Sequence, residues 1–459
     1  MLKRDEGAHD EKDRLTGGKE SRGLRWVANA RCGLPGEEEG DLATACSFLG
    51  ACSFVGRNVS GSVFVPCNPT PISNPVLVLH NDDVLRSIGL SADDDTISLF
   101  ASGNELGQDP NCQPAAFNYC GHQFGSFAGQ LGDGAALSLG IVEDIATGRT
   151  EIQLKGSGKT PFTRAGLSGR KKLPALAKEM VMMAALQRLG VPTVRGAAVV
   201  VGEEGHAVMV RCAASFLRFG TFELANQPAP NGKEGPSKGD TALLKQIADY
   251  VLAWLYPEVL AAGAEDEEGV FRELILAITR RTAALVAAWQ CVGWVHGTLN
   301  TDNLSLSGET LDHGTGAFME GFLWDFVANS LDVSGMYSYR RQPEACRNNC
   351  RLLAEATQGL HCEPMASMWA RVDAAFDAEF ERAYLDGMRE RLGLAGVQDG
   401  DMAMVSELLD AMEKVGADWT QTWLVLADPG AELPFGLGEW AERYAHRLEK
   451  RGERSGAAA

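Results

Sequence analysis

The sequence predicts an α+β fold of two lobes, the first mixed and carrying a sheet, the second mainly helical. Three observations carry this. Apolar alternation of the kind half-buried strands show recurs between Val63 and Cys212, because successive strand side chains point to opposite faces. From Thr241 onward the apolar residues recur at helical spacing. Between the two, Gln227 to Gly239 holds Pro228, Pro230, Pro236 and three glycines, a composition that interrupts regular structure. The expected organisation is a poorly ordered leader over 1–60, a first lobe over 61–227, a linker over 228–240 and a helical lobe over 241–459.

The elements follow in order. Residues 1–60 are rich in Gly, Glu and Arg without periodicity, so no packed structure is expected there. Pro69 to Pro75 reads as extended, Val76 to Leu79 as a short strand and Asp82 to Leu90 as a helix capped at Gly89. The block Tyr119 to Ala136 places five glycines within fourteen residues. Such a stretch is either a hairpin connection or a cradle in which backbone amides approach an anion; no G-K-[ST] ends it, so it is not a P-loop. Ala136–Val142 and Thr150–Lys155 form an expected hairpin, in which Lys155 lies on the face opposite Ile152 and Leu154. A helix runs from Pro174, suited to a first turn, to Gly190 and Pro192, burying Leu176, Met180, Met183 and Leu186. Glu179 on that helix either pairs with Lys155 or faces solvent. Val194–Val201 and His206–Cys212 read as strands. Arg211 and Arg218 near the end of the second either clamp phosphate oxygens, as bidentate guanidinium groups do, or form structural ion pairs. The helices expected afterwards are Leu243–Leu255, Glu273–Val295, Pro343–Thr357, Pro364–Arg391, Asp401–Val415 and Pro434–Arg451.

Composition narrows the function. A net charge of −19 argues against broad nucleic-acid binding, while leaving room for a nucleotide held by a few local cations and a metal. The eleven cysteines are scattered, with no C-x-x-C and no zinc spacing, as expected of reduced thiols. No run of about 18 uncharged apolar residues occurs, so no membrane span is expected. The acids near the N-terminus, Asp5, Glu6, Asp10, Glu11 and Asp13, do not suit a transit peptide.

The chemistry concentrates in residues 296–314, where His296-Gly297-Thr298-Leu299-Asn300-Thr301-Asp302-Asn303 precedes Leu304–Leu306, read as a short strand, and Leu311-Asp312-His313-Gly314. Asn, Asp and Gly favour turns for local reasons, and a plain turn is one reading. The other is transfer from a nucleoside triphosphate. Protein kinases use H-R-D-x-x-x-x-N followed by D-F-G. His296 and Asn303 keep the H-to-N spacing, and Asp312-His313-Gly314 stands where D-F-G would. The kinase catalytic aspartate, however, is replaced by Thr298, and the nearest carboxylate is Asp302. The two-lobed order of elements is likewise that of a protein kinase.

Tyr119-Cys120-Gly121-His122-Gln123-Phe124-Gly125, Gly129-Gln130-Leu131-Gly132-Asp133-Gly134, Leu154-Lys155-Gly156-Ser157-Gly158-Lys159-Thr160-Pro161-Phe162, Phe216-Leu217-Arg218-Phe219-Gly220, Asn300-Thr301-Asp302-Asn303 and Gln342-Pro343-Glu344-Ala345-Cys346 resemble the selenoprotein O family, from about Val63 to Thr357. The resemblance implies a kinase-like fold that binds ATP in the flipped direction and transfers AMP to Ser, Thr or Tyr hydroxyls of proteins, with Mg²⁺ as cofactor and Mn²⁺ as its alternative. By position it implies Asp302 as proton acceptor, Asn303 and Asp312 as metal ligands, and Lys155 paired with Glu179 at the phosphates. Gly132, Gly134, Ala135, Ser168, Gly169, Arg211, Arg218 and Asp312 would contact the nucleotide. It also implies a mitochondrial location, against which the acidic leader leaves the cytoplasm as alternative. The sequence departs from the family at Ser168, where an acid is expected, at Ala135, where bacterial members have arginine, and at Pro174-Ala175-Leu176, where an arginine is lost. Its last cysteine is Cys362. The competing readings are a kinase-type γ-phosphotransferase and a weakened ATP-binding pseudokinase module.

Overall fold

The computed structural model describes residues 63–90, 101–103, 114–264, 266–428 and 438–456. The expected leader, and Pro434 at the start of the last expected helix, lie outside them. Within them the sheet comes first and the helices second. The strands are β1 (Phe64–Pro66), β2 (Val76–His80), β3 (Ala115–Phe117), β4 (Cys120–Gln123), β5 (Ser126–Gln130), β6 (Ala136–Asp144), β7 (Gly148–Lys155), β8 (Lys171–Lys172), β9 (Arg195–Val201) and β10 (His206–Ala213). One antiparallel sheet runs β1-β3-β6-β7-β10-β9-β2, with β8 paired to β10. Strands β4 and β5 form a separate hairpin.

The alternation along β7 and β10 sorts the sheet into two faces. Ile152, Leu154, Val208, Val210 and Cys212 pack on one side with Val84 and Leu85 of α1 (Asp82–Ser87). On the other, Val199, Ala207 and Met209 meet the Leu176, Met180, Met183 and Leu186 stripe of α2 (Leu173–Arg188). Met209 is the antiparallel partner of Lys155, so Lys155 belongs to the face that α2 covers.

The second half holds α3 (Thr241–Leu255), α4 (Glu267–Val292), α5 (Gln342–Ala356), α6 (Met365–Arg391), α7 (Asp401–Val415), α8 (Trp419–Ala427) and α9 (Gly438–Gly456), with shorter turns between them. Helix α4 begins at Glu267 rather than Glu273, because the Asp266 side chain caps it by accepting the Gly269 N–H at 2.6 Å. It stops at Val292, where Gly293 turns left-handed, and Trp294–Val295 leaves the helix to pair with Ala317–Phe318. By length and composition α4 is apolar enough to cross a membrane, but 72% of its apolar stretch is buried inside the protein; it is the central helix of the second half. Leu304–Leu306 does not form the expected strand. Its backbone instead bonds across to the first half, Phe219 N–H to Leu304 O and Leu306 N–H to Leu217 O, leaving only single bridges. That stitch ties 296–314 to the end of β10.

Candidate active site

Because Lys155 faces α2, its Nζ donates to Glu179 Oε2 at 2.8 Å and to Asp312 Oδ1 at 3.2 Å. Glu179 is buried rather than at the surface. Two more cations converge on Asp312: Arg218 Nη1 bonds Oδ2, and Arg211 Nη1 lies 3.6 Å from Oδ1. Burial alone would raise the Asp312 pKa, but Arg218, Lys155 and Arg211 outweigh it and hold the carboxyl well below the usual carboxylate range. Asp312 has φ 55°, a left-handed conformation uncommon outside glycine. Two histidines brace it. His296 Nε2 sits 2.8 Å from the Leu311 carbonyl, and His313 Nε2 2.7 Å from Thr193 Oγ1. Burial lowers the pKa of both rings, so they serve as neutral struts.

Asp302 stands in a contrasting environment on the 3₁₀ turn Thr301–Asn303. Its Oδ2 accepts from Gln123 Nε2 at 3.1 Å, while Oδ1 is buried with no hydrogen-bond partner. Burial pushes its pKa up to about 6, and Gln123 and Arg218 offset this only in part. Next to it, Asn303 Nδ2 donates to the Thr298 carbonyl at 3.0 Å, which leaves the amide oxygen for another partner. Thr298, where a kinase has its aspartate, is tied up with Thr315 Oγ1 at 2.9 Å and Asn329 Nδ2 at 3.0 Å.

An open cleft of about 370 Å³ adjoins these groups, lined by Gly132, Gly134, Ala135, Ser168, Gly169 and Asp302, together with Tyr119 and several basic residues. A pocket of this size suits a small ligand. Gly169 has no substitute: at φ +67°, its added Cβ would lie 2.0 Å from the Gly158 carbonyl oxygen. Ser168 Oγ accepts the Arg170 N–H at 3.2 Å. Lys155, Glu179, Arg211, Arg218, Asn303 and Asp312 do not line the cleft; all but Asn303 form the adjoining ion cluster, joined to it where the Arg218 guanidinium covers the Tyr119 ring at 4.8 Å. Both arginines are engaged by protein acceptors. Arg211 Nε donates to Gln153 Oε1 at 2.8 Å, and Arg218 reaches Asp312 and, at 3.6 Å, Asp133.

Sequence reasoning passed over two groups. Asp133 is buried and accepts from Tyr119 OH at 3.1 Å and Gln153 Nε2 at 3.0 Å; burial raises its pKa against the pull of Arg218 and Arg211. An acid set between Gly132 and Gly134 was the available signal. Gln123 lies in the Tyr119–Gly125 motif, but nothing there pointed to its contact with Asp302, 179 residues away.

Among the described residues no three His, Cys, Asp or Glu side chains gather into a metal cage. The hard oxygen donors here are the Asn303 amide and the Asp312 carboxylate, the latter already engaged by Lys155, Arg211 and Arg218. Two hard donors of this kind fit a Mg²⁺ ion that takes its other ligands from water and phosphate.

Residues 57–432 match the family model described as Protein adenylyltransferase SelO, well past Thr357 where the sequence motifs stop. A human relative named "Protein adenylyltransferase SelO, mitochondrial" is 43% identical, covering 84% of this chain and 60% of its own. The mouse protein of the same name is 41% identical over 82% and 59%. A "Protein nucleotidyltransferase YdiU" from Bradyrhizobium diazoefficiens is 38% identical over 84% and 80%. The chain thus spans about 60% of the length of the mammalian relatives.

Proposed function

The chain belongs to the SelO protein adenylyltransferase family, and from that premise we propose that it transfers AMP from ATP to Ser, Thr or Tyr hydroxyls of proteins. The observation that carries the reading is the pair of aspartates, ten residues apart on one loop. Asp312 is fixed as an anion among three cations, while Asp302 is buried at the cleft with few donors. One suits a metal cation, the other suits a proton.

In the proposed reaction the acceptor hydroxyl oxygen forms a bond to the α-phosphorus as the bond to the β-phosphate oxygen breaks. Asp302 takes the hydroxyl proton and pyrophosphate leaves. Lys155, held by Glu179, and Arg211 and Arg218 supply positive charge around the phosphates, a preorganised field that costs no rearrangement during reaction. Gly132, Gly134, Ala135, Ser168 and Gly169 line the cleft that would take the nucleotide, beside the basic Arg164, Arg170 and Lys171. Asn303 and Asp312 would hold Mg²⁺, or Mn²⁺ in its place, which supplies charge neutralisation at the phosphates. In this reading 61–227 is the nucleotide-binding lobe, 228–240 the linker, and 241–459 the lobe carrying the catalytic loop 296–314. The compartment is proposed as mitochondrial, as the names of the mammalian relatives say of those proteins, with the cytoplasm as alternative.

Incubation of the protein and a mixed protein substrate with ATP labelled at the α- or the γ-phosphate tests the reading. Label retained from the α-position supports it. Label retained only from the γ-position overturns it in favour of a kinase.

A further inference from the structure

The glycine-rich hairpin β4–β5 belongs to the first half, yet its tip is fastened to the catalytic loop. The His122 N–H donates to Thr301 Oγ1 at 2.7 Å. The Phe124 N–H, at a left-handed φ of 49°, donates to Asn300 Oδ1 at 3.2 Å and to Tyr337 OH at 3.1 Å. Tyr337 OH in turn donates to Asn300 Oδ1 at 2.8 Å. Three consecutive residues of the hairpin therefore grip the turn that carries Asp302.

What this grip presents to Asp302 is asymmetric. Gln123 Nε2 donates to Oδ2. On the other side Gly121 approaches so closely that an added Cβ would lie 2.5 Å from Oδ1, and Oδ1 is sealed without a partner. Asp302 nevertheless lines the cleft, so the oxygen it offers there is Oδ2, which has a second lone pair beyond the one facing Gln123.

We propose that Gln123 is a positioning residue for the transfer reaction, with Gly121 as its counterpart: together they lock the Asp302 carboxylate so that Oδ2 alone meets the acceptor hydroxyl. This rests on the reading of Asp302 as proton acceptor. In the step itself the hydroxyl proton passes to Oδ2 as the oxygen–phosphorus bond forms and pyrophosphate departs, while Gln123 keeps donating to the same oxygen.

The test measures kcat, KM for ATP, ATP dissociation constant and thermal midpoint for the full chain and for Gln123→Leu and Gly121→Ala. Gln123→Leu keeps the bulk and removes the donor. Gly121→Ala sits at a φ that alanine accepts, and its Cβ would press on Asp302 Oδ1 at 2.5 Å and Cβ at 2.9 Å and on Leu131 Cδ1 at 2.8 Å, displacing both side chains. Both variants are expected to lose roughly 10- to 100-fold in kcat, and Gln123→Leu keeps KM and dissociation constant for ATP within about twofold of the parent, since Gln123 does not line the cleft. A merely structural role would move ATP binding and thermal midpoint along with kcat, and that result overturns the proposal, as does unchanged kcat in Gln123→Leu. If the parent transfers γ-label instead of α-label, AMP transfer fails as a reading while the same kcat comparison still decides on Gln123. If it transfers neither label, both fall.

Discussion

Two aspartates on one loop, Asp302 and Asp312, differ in almost everything except their chemistry. Asp312 has a lysine and two arginines drawn in from β7, β10 and the segment after it. Asp302 has one neutral amide donor and an orphaned oxygen. Burial acts on both in the same direction, toward a raised pKa; the cations decide that Asp312 ends low and Asp302 near 6. Environment, not residue type, sets the two carboxyls apart, and the proposed roles of charge holder and proton acceptor follow that separation.

The largest expected effect breaks the charged side of that contrast. Asp312→Ala leaves Lys155, Arg211 and Arg218 facing one another without their shared anion, and breaking a buried ion pair of this kind costs about 3–5 kcal/mol. Label transfer should vanish, Mg²⁺-dependent ATP binding should weaken, and thermal unfolding should show a clear loss of midpoint. Retained turnover would detach Asp312 from the phosphates.

Asp302→Asn probes the other side and should separate activity from stability. Removing a general base lowers turnover by roughly 10²–10⁴, whereas removing a poorly solvated charge should leave the thermal midpoint at neutral pH unchanged or higher. A midpoint that falls as far as that of Asp312→Ala would erase the distinction between the two carboxylates.

Lys155→Met tests whether the cluster is shared. It strips one of three cations from Asp312 and leaves Glu179 unpaired, so ATP affinity should fall by about tenfold or more while the fold survives. Calorimetric titration with MgATP reads this directly. Equal affinity in parent and variant would confine Lys155 to an ion-pair role.

The smallest effect concerns Glu151, away from the cleft. Its carboxyl is buried, accepting from Ser138 Oγ at 2.5 Å and from the Phe216 N–H at 2.9 Å, and burial raises its pKa from 4.5 to about 7 despite these bonds. The folded state therefore keeps a proton that the unfolded chain gives up above about pH 4.5. Its contribution to stability is fully present below that pH and is lost as pH rises toward 7. Glu151→Gln, which can accept from Phe216 and donate to Ser138, should flatten the fall of denaturant midpoint between pH 4.5 and 7. An unaltered slope would mean that Glu151 does not titrate in that range.

Much of this was legible in the chain. The strands β6, β7, β9 and β10 and the buried stripe of α2 follow from periodicity, which reports which face of an element meets a core. The H-to-N spacing, the displaced Asp302 and Asp312-His313-Gly314 marked 296–314 as the candidate reactive loop. The Leu304–Leu306 strand misled because a strand is defined by its partners, and here the partners are the single residues Arg218 and Thr310. Whether Arg211 and Arg218 meet carboxylates was equally hidden, since Asp133 lies far before them and Asp312 far after them in the sequence.

By itself the sequence determined the family, the order of sheet and helices, and which residues carry oxygen, nitrogen and charge into the loop, because these depend on local pattern and side-chain chemistry. Tertiary structure alone decided that Gln123 reaches Asp302, that three cations close on Asp312, and that one carboxyl is consequently held as an anion while the other is raised. Those outcomes depend on distances between groups up to 179 residues apart and on how much water is shut out around them, and neither quantity is written in the order of residues.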